Sequence, residues 1–117
     1  MTWAEIAAAA YTAAKTDPKF EDLRDYLKAE EDDDRIIHEC CATAIEYVRT
    51  AVGEFDEDDP TAVMLMYALA ESLYDERILK DAKASNTQPF QRMAYVYQSI
   101  ILQLQMKYAA KQEEAIT

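Results

Sequence analysis

Two clusters of acids and one short His–Cys run are the parts of this chain whose residue types could do chemistry. Glu30 to Asp34 is five carboxylates in a row, and Glu54 to Asp59 is a second acidic stretch broken only by Phe55. Clustered carboxylates can hold calcium, but an EF-hand loop needs alternating acids, a central glycine and a distal glutamate. Neither cluster has the glycine or the alternation. Both read instead as helix caps and a solvated acidic surface, with Asp32, Asp33, Asp34, Asp56, Asp58 and Asp59 as its candidate residues. His38, Cys40 and Cys41 suggest zinc, yet a closed site takes four ligands and the chain has one His and two Cys. A di-metal carboxylate bundle needs Glu-x-x-His pairs, and the residue three before His38 is Arg35.

Catalysis fares no better. A Cys–His pair on one helix lacks an oxyanion hole and a third, orienting group. A single glycine rules out a Gly-rich phosphate loop. Eight tyrosines could stack single-stranded bases, but six of them sit in the three long helices, mostly near apolar stripes and without interleaved Lys or Arg, which favours core or subunit-interface packing. The expectation is a chain with no enzyme activity, no metal and no cofactor.

The elements around these residues point to an all-α domain. With 117 residues there is room for one core, and one Gly with three Pro leaves too few turns for a sheet. The stretch Ala62 to Ala70 is nine apolar residues, so its helix has no side suited to water and reads as the centre of a small bundle. A bilayer needs about 20 such residues, so no membrane span is expected. No basic-then-apolar leader opens the chain, and adjacent Cys40 and Cys41 disfavour an ordinary disulfide, so a reducing intracellular setting is expected.

Three long helices and a short one follow from the pattern, with an extra helix at the start. Thr2 and Glu5 form a capping box opening an Ala-rich helix to Lys15 or Thr16, an N-terminal extension over residues 1–17. Asp17-Pro18 starts a short helix with Phe20, Leu23 and Leu27 on one face. One of the aspartates up to Asp34 caps the next helix, which runs to Val52 and stops at Gly53. Pro60 leads into the apolar helix, read to Leu79, whose apolar run gives way to the polar cluster Glu71, Tyr74, Asp75, Glu76 and Arg77 on the same helix. A polar loop is expected over Asp81 to Gln88. The last helix spans Pro89 to Ala110, leaving 111–117 as a frayed tail. Its stripe of Phe90, Met93, Tyr97, Ile100, Ile101, Leu104 and Tyr108 faces the core, while Tyr95, Leu102 and Met106 form a second apolar side. That is more sticky surface than a monomer should expose.

The net charge is −11, and its placement is uneven. From Asp17 to Asp59 there are sixteen acids and five bases; the rest of the chain balances. Such polarisation opposes nucleic-acid binding through a basic groove.

In their order and spacing these segments resemble the helical head–tail connector (adaptor) proteins of long-tailed bacteriophages, also called DNA-packaging proteins. The resemblance covers about residues 20–108. It rests on Leu23-Arg24-Asp25-Tyr26-Leu27 before the acidic turn, then Ala44-Ile45-Glu46-Tyr47-Val48. Pro60 through Leu73-Tyr74-Asp75-Glu76-Arg77 follows, and Ser99 to Gln105 closes the set. Residues 1–17 precede the family's usual start and gain no role from it. The resemblance implies a virion protein of the head–tail neck, assembled in the host cytoplasm as a ring of about a dozen copies beneath the portal. Such a ring continues the DNA channel, binds the portal and the next neck, stopper or tail-completion protein, and retains DNA without binding it specifically. On that reading the acidic patch faces solvent or the channel, and Tyr95, Leu102, Met106 and Arg77 are candidates for the portal or subunit interface. The alternative is a small acidic DNA mimic that inhibits a nucleic-acid enzyme, although mimicry wants acids in duplex-like rows rather than in two loops.

Overall fold

The computed structural model describes residues 1–81 and 97–116, and the backbone alone of residues 31, 77–81, 115 and 116. Among them are six α-helices and no strand: α1 (Trp3–Ala8), α2 (Tyr11–Ala14), α3 (Pro18–Leu27), α4 (Asp34–Val52), α5 (Pro60–Asp81) and α6 (Gln98–Ile116). A 3-10 turn, Glu31–Asp33, leads into α4.

Local chemistry accounts for most of the boundaries. Thr2 and Glu5 exchange side-chain bonds with each other's backbone N–H at the start of α1. The Asp17 carboxylate accepts from the Lys19 N–H, with Pro18 in the first helical position of α3. At the end of α3, Lys28 adopts φ +55°, a left-handed cap without glycine, closed by N–H bonds to the Arg24 and Asp25 carbonyls. Gly53 ends α4 at φ +108°. Two constraints meet there, because a Cβ on Gly53 would also lie 2.7 Å from the Tyr108 ring. The Asp59 carboxylate accepts from the Thr61 N–H and so starts α5 beside Pro60.

The core lies between α4 and α5. Ile37, Cys41, Ala44, Ile45 and Val48 of α4 meet Leu65, Met66, Leu69 and Ala70 of α5. Phe20 and Leu23 of α3, Ile6 of α1 and Leu104 of α6 close it. Each large side chain removed from water contributes about 1.5–3 kcal/mol, which these short outer helices need because isolated helices of their length do not persist. The apolar run of α5 is enclosed on most sides but not all: Met64 is 53% exposed. Tyr74, expected in the polar cluster of the helix end, is buried, and the helix runs to Asp81, close to the expected bound.

The N-terminal segment is not one four-turn helix. It breaks at Ala9 and Ala10, both extended, despite alanine's high helix propensity. In an unbroken helix the Ile6 carbonyl would accept from the Ala10 N–H. Here His38 Nε2 takes that carbonyl at 2.8 Å. The Trp3 N–H donates to Glu57, and the N-terminal ammonium pairs with Asp17 at 2.9 Å. Tertiary partners therefore override local propensity, seating Trp3, Ile6 and Ala14 in the core. At the other terminus the expected frayed tail is helix to Ile116, with Lys111 pairing to Glu54 and Asp56. The start of the last helix, including Phe90, Met93 and Tyr95, lies outside the described residues.

Candidate functional site

The acids of the 54–59 loop are held by the chain itself. Asp56 accepts from the Asp58 N–H at 3.0 Å and pairs with Lys111 at 3.2 Å, which together hold its carboxyl below the usual range. Lys111 also reaches Glu54, and the two carboxylates raise its ammonium pKa, Asp56 most strongly. Asp59 pairs with Lys107 at 3.4 Å, and Glu57 bridges the Trp3 N–H and Lys19. Asp58 is exposed. Lys107 and Lys111 lie one turn apart on α6, a lysine spacing in the sequence that could have announced this docking.

The first acidic cluster also turns partly inward, which corrects the reading of Asp34 as a solvated acid. Asp34 is 7% exposed and takes a two-pronged contact from Arg24, Nε to Oδ1 at 2.8 Å and Nη2 to Oδ2 at 3.0 Å. The same guanidinium lies 5.5 Å from the centre of the Phe20 ring. A fork of this kind leaves neither charge unsatisfied once desolvated. Asp33 occupies the cap position of α4, but its side chain caps nothing; its Oδ2 accepts from the Tyr74 hydroxyl at 2.5 Å. Burial and that bond push the Tyr74 phenol up. Asp32 remains exposed.

The His–Cys run is packed into the protein. Burial pushes the Cys41 thiol up to about 12, with Cys40 adding to the shift, so it stays protonated and weakly nucleophilic. His38 bonds a backbone carbonyl, and among the described residues no group of three or more His, Cys, Asp or Glu could hold a metal ion. A cavity of about 170 Å³ opens between the end of α4 and α6, floored by Val48, Val52 and Leu104 and rimmed by Asp56, Asp59 and Lys111.

The last helix has two faces. Leu104 is buried, Tyr97, Ile100 and Ile101 pack partly against the core, and the half-buried Tyr108 ring lies over Gly53. Gln105 Nε2 donates to the Ala51 carbonyl at 2.6 Å, tying α6 to the end of α4. On the far side, Leu102 and Met106 occupy equivalent places on successive turns, 55% and 65% exposed.

No protein-family model, curated protein or solved structure matches the chain.

The candidate residues thus sort by their surroundings. Leu102 and Met106 share one exposed face. Asp32 and Asp58 are solvated, whereas Asp33, Asp34, Asp56 and Asp59 are tied into internal contacts. Tyr95 and the Arg77 side chain lie outside the described residues. No helix among the described residues is long and apolar enough to cross a membrane.

Proposed function

We propose that this chain is a structural head–tail connector subunit: a bundle of three long helices plus the short α3, working as a ring beneath a phage portal. The observation that carries the reading is the exposed Leu102–Met106 face. Two large apolar side chains stand side by side on a helix whose opposite face already serves the core. Leaving that surface in water is unfavourable, and a subunit contact would remove it. The ordered set of segments from Leu23 to Gln105 supports the same reading, as does a surface with an excess of acids that discourages DNA from sticking in a conduit. The partners are further copies of the chain, the portal and the next neck protein, with passage of DNA as the function and no catalytic step.

The test is a pair of variants, Leu102→Asp and Met106→Asp. Both side chains are exposed, so circular dichroism and melting should match the parent chain. Assembly on the portal should be lost, and unchanged assembly with both variants removes this face from the interface. The DNA-mimic alternative gains little from the fold, because Glu54, Asp56, Asp59 and Asp34 are already engaged by Lys111, Lys107 and Arg24. Recovery of a basic nuclease or polymerase instead of a portal would reverse the ranking.

A further inference from the structure

A second exposed surface, where α3 packs on α5, combines aromatic rings with carboxylates. Asp22 and Tyr26 lie one turn apart on α3, and Met64, Tyr67 and Glu71 share a side of α5. The Tyr26 and Tyr67 rings meet edge to face at 5.1 Å between centroids, and Tyr67 meets Trp3 in the same manner at 5.7 Å. The ladder leads outward from buried Trp3 to Tyr26, which is 44% exposed. Glu71 faces the Tyr26 hydroxyl; burial and then this carboxylate raise the phenol's pKa. Burial and then the charge of Asp22 push Tyr67 up to about 12. Asp75, one turn beyond Glu71, is also raised, by burial and by Glu71. Among the described residues no lysine or arginine forms an ion pair with Asp22, Asp25, Glu71 or Asp75, although lysines neutralise most of the 54–59 loop.

We infer that this α3–α5 seam is a docking surface for an arginine-bearing basic segment of a partner protein. The charge is complementary, and the surface chemistry selects the cation. A guanidinium is planar and weakly hydrated, stacks on an aromatic ring and forks to carboxylates, while an ammonium offers only the charge. The Met64 thioether adds a polarisable apolar neighbour for the aliphatic stem. The seam is built from α3 and α5, whereas the assembly face proposed above is on α6.

The experiment titrates the full chain with a capped peptide of alternating glycine and arginine, and with its lysine counterpart. Binding is read by calorimetry and by the fluorescence of Trp3, the only tryptophan. The arginine peptide should bind about fivefold tighter than the lysine peptide, the scale of one exposed cation–π contact. Asp22→Asn combined with Glu71→Gln, and separately Tyr26→Leu, should each weaken the arginine peptide by about fivefold or more. Tyr26→Phe keeps the ring and should retain binding. Removing two exposed charges elsewhere, Asp32→Asn with Asp58→Asn, should change affinity less than about twofold. Equal loss from both charge-removal pairs, equal affinity for the two peptides, or no binding of either would each overturn the inference. Self-association in the absence of peptide, abolished by the Asp22 and Glu71 changes, would assign the seam to a second copy and likewise overturn it.

Discussion

The acidic loop of residues 54–59 and the acidic seam between α3 and α5 carry the same charge and treat it in opposite ways. In the loop, Glu54, Asp56, Glu57 and Asp59 each have a lysine partner, two of those lysines arriving from the far end of the sequence on α6. On the seam, carboxylates neighbour tyrosines and one another. The titration directions record the difference: Asp56 is lowered by the Asp58 N–H and Lys111, whereas Asp75 is raised by burial and Glu71. A run of acids in sequence is therefore not a patch in space. The loop's charge is used for folding, and the seam's acids have no lysine or arginine partner among the described residues.

The largest expected effect comes from acids committed inward. Asp34→Ala leaves Arg24 desolvated and unpaired, and should cost about 3 kcal/mol in urea unfolding. Asp32→Ala, two residues earlier and exposed, should cost less than about 0.5 kcal/mol. Similar losses at the two positions would break the distinction between committed and free acids. Next comes Gly53→Ala, which strains a left-handed backbone and drives a Cβ into the Tyr108 ring. It should cost about 1–2 kcal/mol and loosen the helix that brings Lys107 and Lys111 to the loop. Asp75→Asn should act with the opposite sign, stabilising by about 0.3 kcal/mol through loss of a like-charge pair one turn apart. Lys111→Ala should give a small loss of stability that salt diminishes.

Acid titration of stability sharpens the same comparison. Asp56 has a depressed folded pKa, so its contribution is present above its ordinary 3.8 and disappears as pH falls through the lower folded value. Asp75 has a raised folded pKa, so its contribution is present below 3.8 and is lost as pH rises through the higher folded value. Lys111→Ala should therefore blunt the acid-side loss of stability. Asp75→Asn should remove the decline on the rising side. Melting temperatures of the three proteins across this range check both signs.

Much of the helical plan was legible because it rests on local rules. Thr2 with Glu5, Asp17 with Pro18, Gly53, and Asp59 with Pro60 each mark a boundary by a side chain that satisfies or spares a backbone group. The exposure of Leu102 and Met106 opposite Leu104 was readable from helical spacing alone. What stayed hidden depends on partners distant in sequence. The break at Ala9 and Ala10 follows from His38 taking the Ile6 carbonyl, 32 residues away. Asp34 looked like one acid among five until Arg24, ten residues earlier, turned it inward. Tyr74 resembled a polar helix end, but its hydroxyl reaches Asp33 and its ring joins the core. The seam has no signature in the sequence, because Tyr26 and Tyr67 become neighbours only when α3 packs on α5.

The proposed ring-forming connector role is decided by negative-stain imaging of the full chain alone and mixed with its portal, with particle mass measured in parallel. Closed rings of about a dozen copies, free or seated on the portal, are expected, and they should vanish with Leu102→Asp. Free monomer in both samples would contradict that role.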